Sequence, residues 1–364
     1  MIQGHGGNIY ALARWLGCKP EAIIDVSSNI NPLGAPPGLL AHLREHLECI
    51  GILPEVDARR SIRHMAALLG VDPRRMLAGC GTTQFIYAVC PALNAQKVLI
   101  VGPTYADYAD ACLMHAVQPR HFLAHADQSF EVDLALLDQA LEDVDTVFIC
   151  NPNNPTGRLI PCEDLETLCR AHPRTYFIVD ESYLPFVPAH ESRSIAGSEL
   201  DNVVVLWSLS KIFGLPGLRA GFLITNGDAR SRFTRLMQPW NLNSPAQAAI
   251  DYLGDNQTEM REFIDKTCRF LSIARRQFCE QLASERRLQP YPSRTTYLLI
   301  GLPDGFEADA IYRYMAHRRL LIRPCGNFLG LSNAYIRIAL KDAQVNQIAV
   351  DLLLAAVQHS GTLE

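Results

Sequence analysis

A lysine just past an apolar strand is the residue of this chain whose setting first suggests chemistry. Lys211 follows the run Val203–Ser208 in Ser208-Leu209-Ser210-Lys211, so its amine emerges at a strand's C-terminal end, where ligands of open α/β sheets bind. Held in a cleft beside cationic groups, a lysine has a lowered pKa and can form an imine with a carbonyl. An isolated lysine would be read as a solvated surface residue; the company of Lys211 argues otherwise. Asp180 lies in a second apolar strand, Tyr176–Glu181, where it can either cap a helix or hydrogen-bond a ring nitrogen and keep it protonated. Tyr183, just beyond, can donate to a ring oxygen.

Gly79-Cys80-Gly81-Thr82-Thr83 opens the helical stretch Gln84–Leu93. Backbone amides at a helix N-terminus bind phosphate, although a capped turn would carry the same glycines. Ser208, Ser210 and Arg219 can complete that cup, with Arg219 as a fixed charge. Tyr105, after Gly102-Pro103-Thr104, can stack on a ring or simply pack in the core. An amine, a carboxylate, phosphate donors and a ring-face group are what pyridoxal 5′-phosphate requires of a protein. The string Asn151-Pro152-Asn153-Asn154-Pro155-Thr156-Gly157 has turn composition, but a plain turn does not explain its place between the phosphate loop and the Asp180–Lys211 pair.

Positioning these groups takes a sheet. Strands are expected at Lys97–Gly102, Thr146–Asn151, Tyr176–Glu181, Val203–Ser208 and Arg219–Thr225, with helices such as Tyr105–His115 and Glu163–Ala171 between them. This alternation is the signature of βα units around a mainly parallel sheet. Beyond Pro245 the pattern changes to a helical region from Ala246 to about Arg286, then strands near Tyr297–Ile300 and Tyr335–Leu340, which reads as a smaller α+β domain. The expected organisation is an N-terminal arm over 1–38 that is part of the small domain, a large cofactor-binding domain over 39–245 and the small C-terminal domain over 246–364. Pro32, Pro36 and Pro37 make the arm irregular, so it is expected to lie across another surface, a partner subunit's, and not to form a helix of its own.

Composition narrows the partners. The 364 residues are 48% hydrophobic and 20% charged with a formal net charge of −5, and no run of like charges marks a nucleic-acid or membrane surface. A small molecule is the expected partner. No secretory segment or bilayer-spanning run is apparent, so a cytoplasmic location is expected. The 11 cysteines are scattered without zinc-like spacing, and His121 and His125 sit at the end of a strand, so neither a disulfide framework nor a metal is expected. A dinucleotide-binding oxidoreductase, prompted by the Gly79-Cys80-Gly81 turn, lacks the third glycine and leaves Lys211 and Asp180 unexplained.

Asn153-Asn154-Pro155-Thr156-Gly157, Asp180-Glu181-Ser182-Tyr183, Ser208-Leu209-Ser210-Lys211 and the downstream Arg219 resemble the fold-type I pyridoxal-phosphate enzymes, in particular the histidinol-phosphate aminotransferase-like family, over essentially the whole chain. Within it, His5-Gly6-Gly7-Asn8 and Ser28-Asn29-Ile30-Asn31-Pro32-Leu33-Gly34 are similar to the threonine-phosphate decarboxylase branch; the aminotransferases usually carry a glutamate where Ile30 stands. The resemblance implies a large domain built on a seven-stranded, mainly parallel sheet, a homodimer, and Lys211 as the Schiff-base lysine with Asp180 as the pyridinium partner. Asn154 would touch both cofactor and substrate. Gly81, Thr82, Thr83, Tyr105, Tyr183, Ser208, Ser210 and Arg219 would complete the cofactor site. Arg337 would grip the substrate carboxylate, while Arg323, His5, Gly6 and Asn29 would surround its phosphate. The chain departs from the pattern at Cys80 and Thr82 of the phosphate loop, at Leu53-Pro54-Glu55 where Tyr-Pro-Asp is usual, at Tyr183 where phenylalanine occurs in the branch, and at Thr296. The implied reaction is decarboxylation of an O-phosphorylated amino acid, threonine phosphate or a phosphoserine or phosphonate analogue, with a histidinol-phosphate-type aminotransferase as the alternative.

Overall fold

The computed structural model describes residues 6–188 and 194–358, so His5 lies outside the described residues. In chain order the strands are β1 (Ile24–Asp25), β2 (Met76–Gly79), β3 (Val98–Gly102), β4 (Arg120–Leu123), β5 (Thr146–Cys150), β6 (Tyr176–Asp180), β7 (Val203–Ser208), β8 (Gly221–Thr225), β9 (Gln289–Pro290), β10 (Tyr297–Gly301), β11 (Leu320–Leu321), β12 (Arg323–Pro324) and β13 (Tyr335–Ala339). A seven-stranded sheet has the order β2-β8-β7-β6-β5-β3-β4, in which β4, β3, β5, β6 and β7 run parallel and β8 lies antiparallel to both β7 and the edge strand β2. The fold is therefore the fold-type I α/β architecture with a mainly parallel sheet. Strands β3, β5 and β7 are buried at every position, as expected where helices cover both faces and the sequence is a continuous apolar run instead of an alternating one.

Parallel strands end at the same edge. Gly102, Cys150, Asp180 and Ser208 are the last residues of β3, β5, β6 and β7, and in register Cys150 stands beside Asp180. That edge is where the sheet delivers polar groups out of an apolar core. A second, antiparallel sheet with the order β12-β13-β10-β9 comes from the C-terminal part, and β1 pairs in parallel with β11.

Three local expectations change. The N-terminal stretch does form a helix, Ile9–Leu16, because Asn8 Oδ1 caps the Ala11 amide at 3.0 Å, Gly17 closes the other end with φ 62°, and Leu12 and Ala13 pack on Ile23, Ala316 and Leu321. Its prolines lie after that helix, and there the chain is irregular as expected, with contacts to its own large domain and long helix. Asn31 Nδ2 donates to Ile212 O at 2.7 Å and to Thr267 Oγ1 at 3.0 Å, and Gly214, with φ +63°, lets Gly34 approach to where a Cβ would be 2.7 Å from its carbonyl. The helical region after Pro245 is two helices, Ser244–Asp255 and Gln257–Leu282, broken at Asn256, whose side chain donates to Tyr252 O at 2.8 Å. Finally, β8 begins at Gly221, and Arg219 adopts a left-handed turn with φ 52°.

Glu181, adjoining Asp180, is buried against the turn at 194–197, where Ser194 Oγ and the Ile195 amide, the latter at 2.9 Å, donate to its carboxylate. Burial nevertheless pushes this carboxyl from 4.5 up to about 7. A carboxyl whose pKa is raised on folding favours the folded state below its unfolded pKa, and that contribution is lost as pH rises through the folded value. Stability of the cofactor-free protein is thus expected to fall by about 2–3 kcal/mol from this group between pH 4.5 and 7, with buried Asp180 acting in the same direction. Urea unfolding at several pH values should show a shallower decline for Glu181→Gln; an unchanged slope would rule this origin out.

Candidate active site

A cavity of about 440 Å³ opens at the C-terminal edge of the parallel strands. Every site residue expected from the sequence and described in the structure lines it: Gly6 and Asn29 from the N-terminal segment, Gly81 to Thr83, Tyr105, Asn154, Asp180, Tyr183, Ser208 to Lys211, Arg219, Arg323 and Arg337, with Leu209 alone of that stretch turned into the core.

Asp180 sits at the floor, 6% exposed. One carboxylate oxygen accepts from the Tyr108 hydroxyl at 2.8 Å and the other from the Ser182 amide at 3.0 Å. Both donors are neutral. Burial therefore raises the Asp180 pKa against the lowering pull of Ser182, Tyr108 and Lys211, and a cationic N–H facing the carboxylate would restore the charged form. Tyr108 was not foreseen from the sequence. Its ring stacks on Phe148 at 5.1 Å, and a fully buried aromatic after a helix start carries no sequence mark that separates it from core.

Lys211 occupies the short helix Leu209–Ile212, which Ser208 caps by accepting the Ser210 amide at 3.2 Å. Its Nζ lies 5.8 Å from the centre of the Tyr183 ring. The Tyr183 hydroxyl accepts from Asn29 Nδ2 at 3.1 Å, and its ring meets Tyr297 edge-on at 5.2 Å. Tyr105 precedes the helix Asp107–Met114 and donates to Asp107 at 2.6 Å.

The loop expected to hold a phosphate is the first turn of the helix Gly81–Leu93 itself, three residues earlier than the helix expected from Gln84. Gly81 has φ +75°, and a Cβ there would stand 2.7 Å from Arg219 Nη2, while a Cβ on Gly221 would stand 2.4 Å from the Thr82 amide. Two glycines thus let a guanidinium and a strand close around the helix N-terminus. The left-handed turn at Arg219 folds its side chain back over Gly81.

The asparagines of the turn after β5 divide their work. Asn151 exchanges hydrogen bonds of 2.8 Å with the Ile160 backbone, and Asn153 is tied to Pro103 O, Thr104 Oγ1 and Thr156 Oγ1. Asn154 faces the cavity and accepts from Arg337 Nη1. Arg337, 5% exposed, also donates from Nη2 to Ser27 O at 2.8 Å. Arg323 is its direct cross-strand neighbour on β12; it donates to Asn327 Oδ1 at 2.8 Å and lies 5.1 Å from the Phe328 ring centre. Burial and the Arg337 charge push Arg323 down to about 10.

These residues fit pyridoxal 5′-phosphate. A buried carboxylate with only neutral donors suits a pyridinium, the glycine-cradled helix end with Arg219 suits a phosphate, and Lys211 lines the same cavity. Among the described residues Asn29 Oδ1 and Arg337 Nε are buried without a partner, which leaves hydrogen-bonding capacity for a ligand. Among the described residues no cluster of side chains could hold a metal ion, and no helix is long and apolar enough to cross a membrane.

Comparison with known proteins agrees. The profile of the family "Aminotransferase class I and II" matches residues 22–355, and the chain belongs to that family. It is a pyridoxal-phosphate-dependent enzyme. Threonine-phosphate decarboxylase of Salmonella typhimurium is 32% identical over 360 residues, 98% of this chain and 96% of that protein. The crystal structure of L-threonine-O-3-phosphate decarboxylase from Porphyromonas gingivalis superposes with a TM-score of 0.82 at 29% identity, covering 92% of this chain and 100% of that one. Histidinol-phosphate aminotransferase from Clostridium acetobutylicum superposes with a TM-score of 0.84 at 25% identity over 92% and 99% of the two chains.

A methyl group at Gly81 would collide with Arg219 and strain a positive φ. Gly81→Ala is expected to weaken cofactor binding by roughly tenfold or more, the loss of one charge-assisted phosphate contact. Fluorescence titration of the cofactor-free protein would measure this; unchanged affinity would separate Arg219 from phosphate binding.

Proposed function

We propose that this enzyme decarboxylates an O-phosphorylated amino acid, L-threonine O-3-phosphate to aminopropanol phosphate or a phosphoserine or phosphonate analogue. The supporting observation is a charge inventory. Four cations line the cavity, Lys211, Arg219, Arg323 and Arg337, and Asp180 is the one acid among its described lining residues. Lys211 and Arg219 are taken by the cofactor's aldehyde and phosphate, and Asp180 by its ring nitrogen. Arg323 and Arg337 remain, side by side on adjacent strands. Like charges opposed across a sheet repel, so this pair favours a ligand with two anionic groups beyond those of the cofactor.

In this reading Arg337 and Asn154 hold the substrate carboxylate, and Arg323, with Asn29, Gly6 and His5, holds the phosphate. Clamped at both ends, the substrate presents its Cα above the ring. The bound cofactor supplies a carbonyl carbon for the substrate amine and a protonated ring that takes up the electron pair left when the Cα–carboxylate bond breaks. Asp180 would hold that ring proton in place, Tyr183 would donate to the ring oxygen, and Lys211 Nζ, as its ammonium, would give Cα the proton that replaces the departed carboxyl group. The relatives named threonine-phosphate decarboxylase support this assignment, as does Ile30, which lines the cavity where a carboxylate would repel a phosphate.

A homodimer is part of the proposal. Ile52 and Leu53 are each 72% exposed, and Leu47, Ile50, Val56 and Trp240 add to the same apolar surface, with Trp240 bonded to the Val56 backbone. A patch of this kind is expected to be covered by another chain. Light scattering should give twice the chain mass, and Ile52→Asp with Leu53→Asp should shift the protein towards monomer; a parent protein that is monomeric and fully active would contradict this.

The reaction type is tested by carbon dioxide release from O-phospho-L-threonine with no 2-oxo acid present. Turnover is expected under those conditions. Arg323→Ala should lower kcat/KM for phosphorylated substrates by roughly two or more orders of magnitude and matter far less for unphosphorylated ones, and Lys211→Ala should abolish borohydride fixation of the cofactor. An enzyme that turns over only with 2-oxoglutarate supplied would be a histidinol-phosphate-type aminotransferase instead.

A further inference from the structure

We infer that Asp25 is the positioning residue, and the remote counter-charge, of Arg337, acting through a single peptide group; this rests on the reading of Arg337 as the holder of the substrate carboxylate. Among the described residues Arg337 has no carboxylate as a hydrogen-bond partner: Nη1 meets Asn154 Oδ1 and Nη2 meets Ser27 O at 2.8 Å. The Ser27 carbonyl belongs to the peptide whose other end is the Ser28 amide, and that amide donates to Asp25 Oδ1 at 3.2 Å. One peptide dipole therefore has its N–H on an anion and its C=O on a cation. Each contact polarises the other in a weakly screened interior.

The rest of the turn converges on the same carboxylate. Asp25 Oδ1 also accepts from the Ser27 amide at 2.8 Å and the Ser27 hydroxyl at 2.7 Å, and Oδ2 accepts from the Ser28 hydroxyl. Ser27 Oγ, having given its proton to Asp25, accepts from the Gly7 amide at 2.7 Å. Gly6 packs so closely that a Cβ would be 2.7 Å from Ser27 O. On the far side Lys341 Nζ donates to Ser28 O at 3.3 Å. The turn is seated by β1, where Asp25 pairs with Leu321, and by the Ala339 amide at 2.7 Å from Val26 O. Asp25 thus joins the N-terminal segment, the strand that carries Arg337 and the carboxylate end of the substrate site, without lining the cavity itself.

A residue acting this way affects one end of the substrate only. In the holoenzyme, titration of the bound cofactor's absorption with O-phospho-L-threonine and with aminopropanol phosphate, which lacks the carboxylate, separates the two ends. Asp25→Asn is expected to raise Kd for the amino acid by roughly tenfold and for the amine by no more than about twofold, with the cofactor band and cofactor affinity unchanged. In an Arg337→Ala background the substitution should add nothing. Equal weakening of both ligands, or effects that add in the double variant, would overturn the inference. If Arg337→Ala alone leaves amino-acid binding intact, the carboxylate reading itself has failed, a different result from an Arg337 that matters and an Asp25 that does not. Should Asp25→Asn not fold, Asp25→Glu, which keeps the charge but displaces it, is read by the same titrations with the same expected difference.

Discussion

A carboxylate taken out of water has to be neutralised or met by positive charge, and Asp180 imposes that condition on the centre of this molecule. Strand β6 carries it to the end of an apolar core, where Tyr108 and Ser182 offer hydrogen bonds but no charge. Adding an ion-paired arginine would satisfy Asp180 permanently and leave nothing for a ligand. Neutral donors hold its orientation and leave the electrostatic demand open. The neighbouring strands answer with the Lys211 turn and the glycine-cradled phosphate loop, so the sheet's polarity, its buried runs and the cavity follow from one arrangement of strand ends.

The substrate side repeats this logic with the sign reversed. Arg323 and Arg337 are paired across β12 and β13, yet each is held by a neutral acceptor, Asn327 or Asn154 and Ser27 O. Two guanidiniums packed together with amide oxygens stay oriented while remaining short of anionic partners. A ligand with a carboxylate and a phosphate gains from both. The same reasoning suits the placement of Asp25 one peptide away from Arg337: in direct contact it would compete with an anionic ligand.

How much of this could be read beforehand depended on whether a residue's role was local. Lys211, Asp180 and Asn154 sit in short strings tied to strand ends, and periodicity located β3, β5, β6 and β7 to within a residue. Arg219 was identified as a cavity residue but placed in a strand, since its left-handed turn answers to the fit against Gly81, a contact remote in sequence. The helix Ile9–Leu16 was missed because the prolines after it dominated the reading, although Asn8 and Gly17 are its proper caps. Tyr108 and Asp25 were invisible for another reason. A buried tyrosine and an aspartate beside serines are ordinary residues until the register of distant strands brings them to Asp180 and Arg337.

Cofactor chemistry of this kind can break more than one bond at Cα, so the protein's contribution to reaction type is geometric. A substrate held at one end can rotate about its bond to the cofactor; one held at both ends cannot. In the proposed reading, Asn154 and Arg337 would fix one direction from the turn after β5 and from β13, and Arg323 another from β12, with Asn29 entering from the N-terminal segment on the Tyr183 side. These four come from both sheets and from the chain's beginning, and the Asp25 turn links the last of them to the arginine strands. In that reading, which bond stands over the ring depends on how those elements seat against each other, so reaction type is a property of their relative placement as well as of the residues around Lys211.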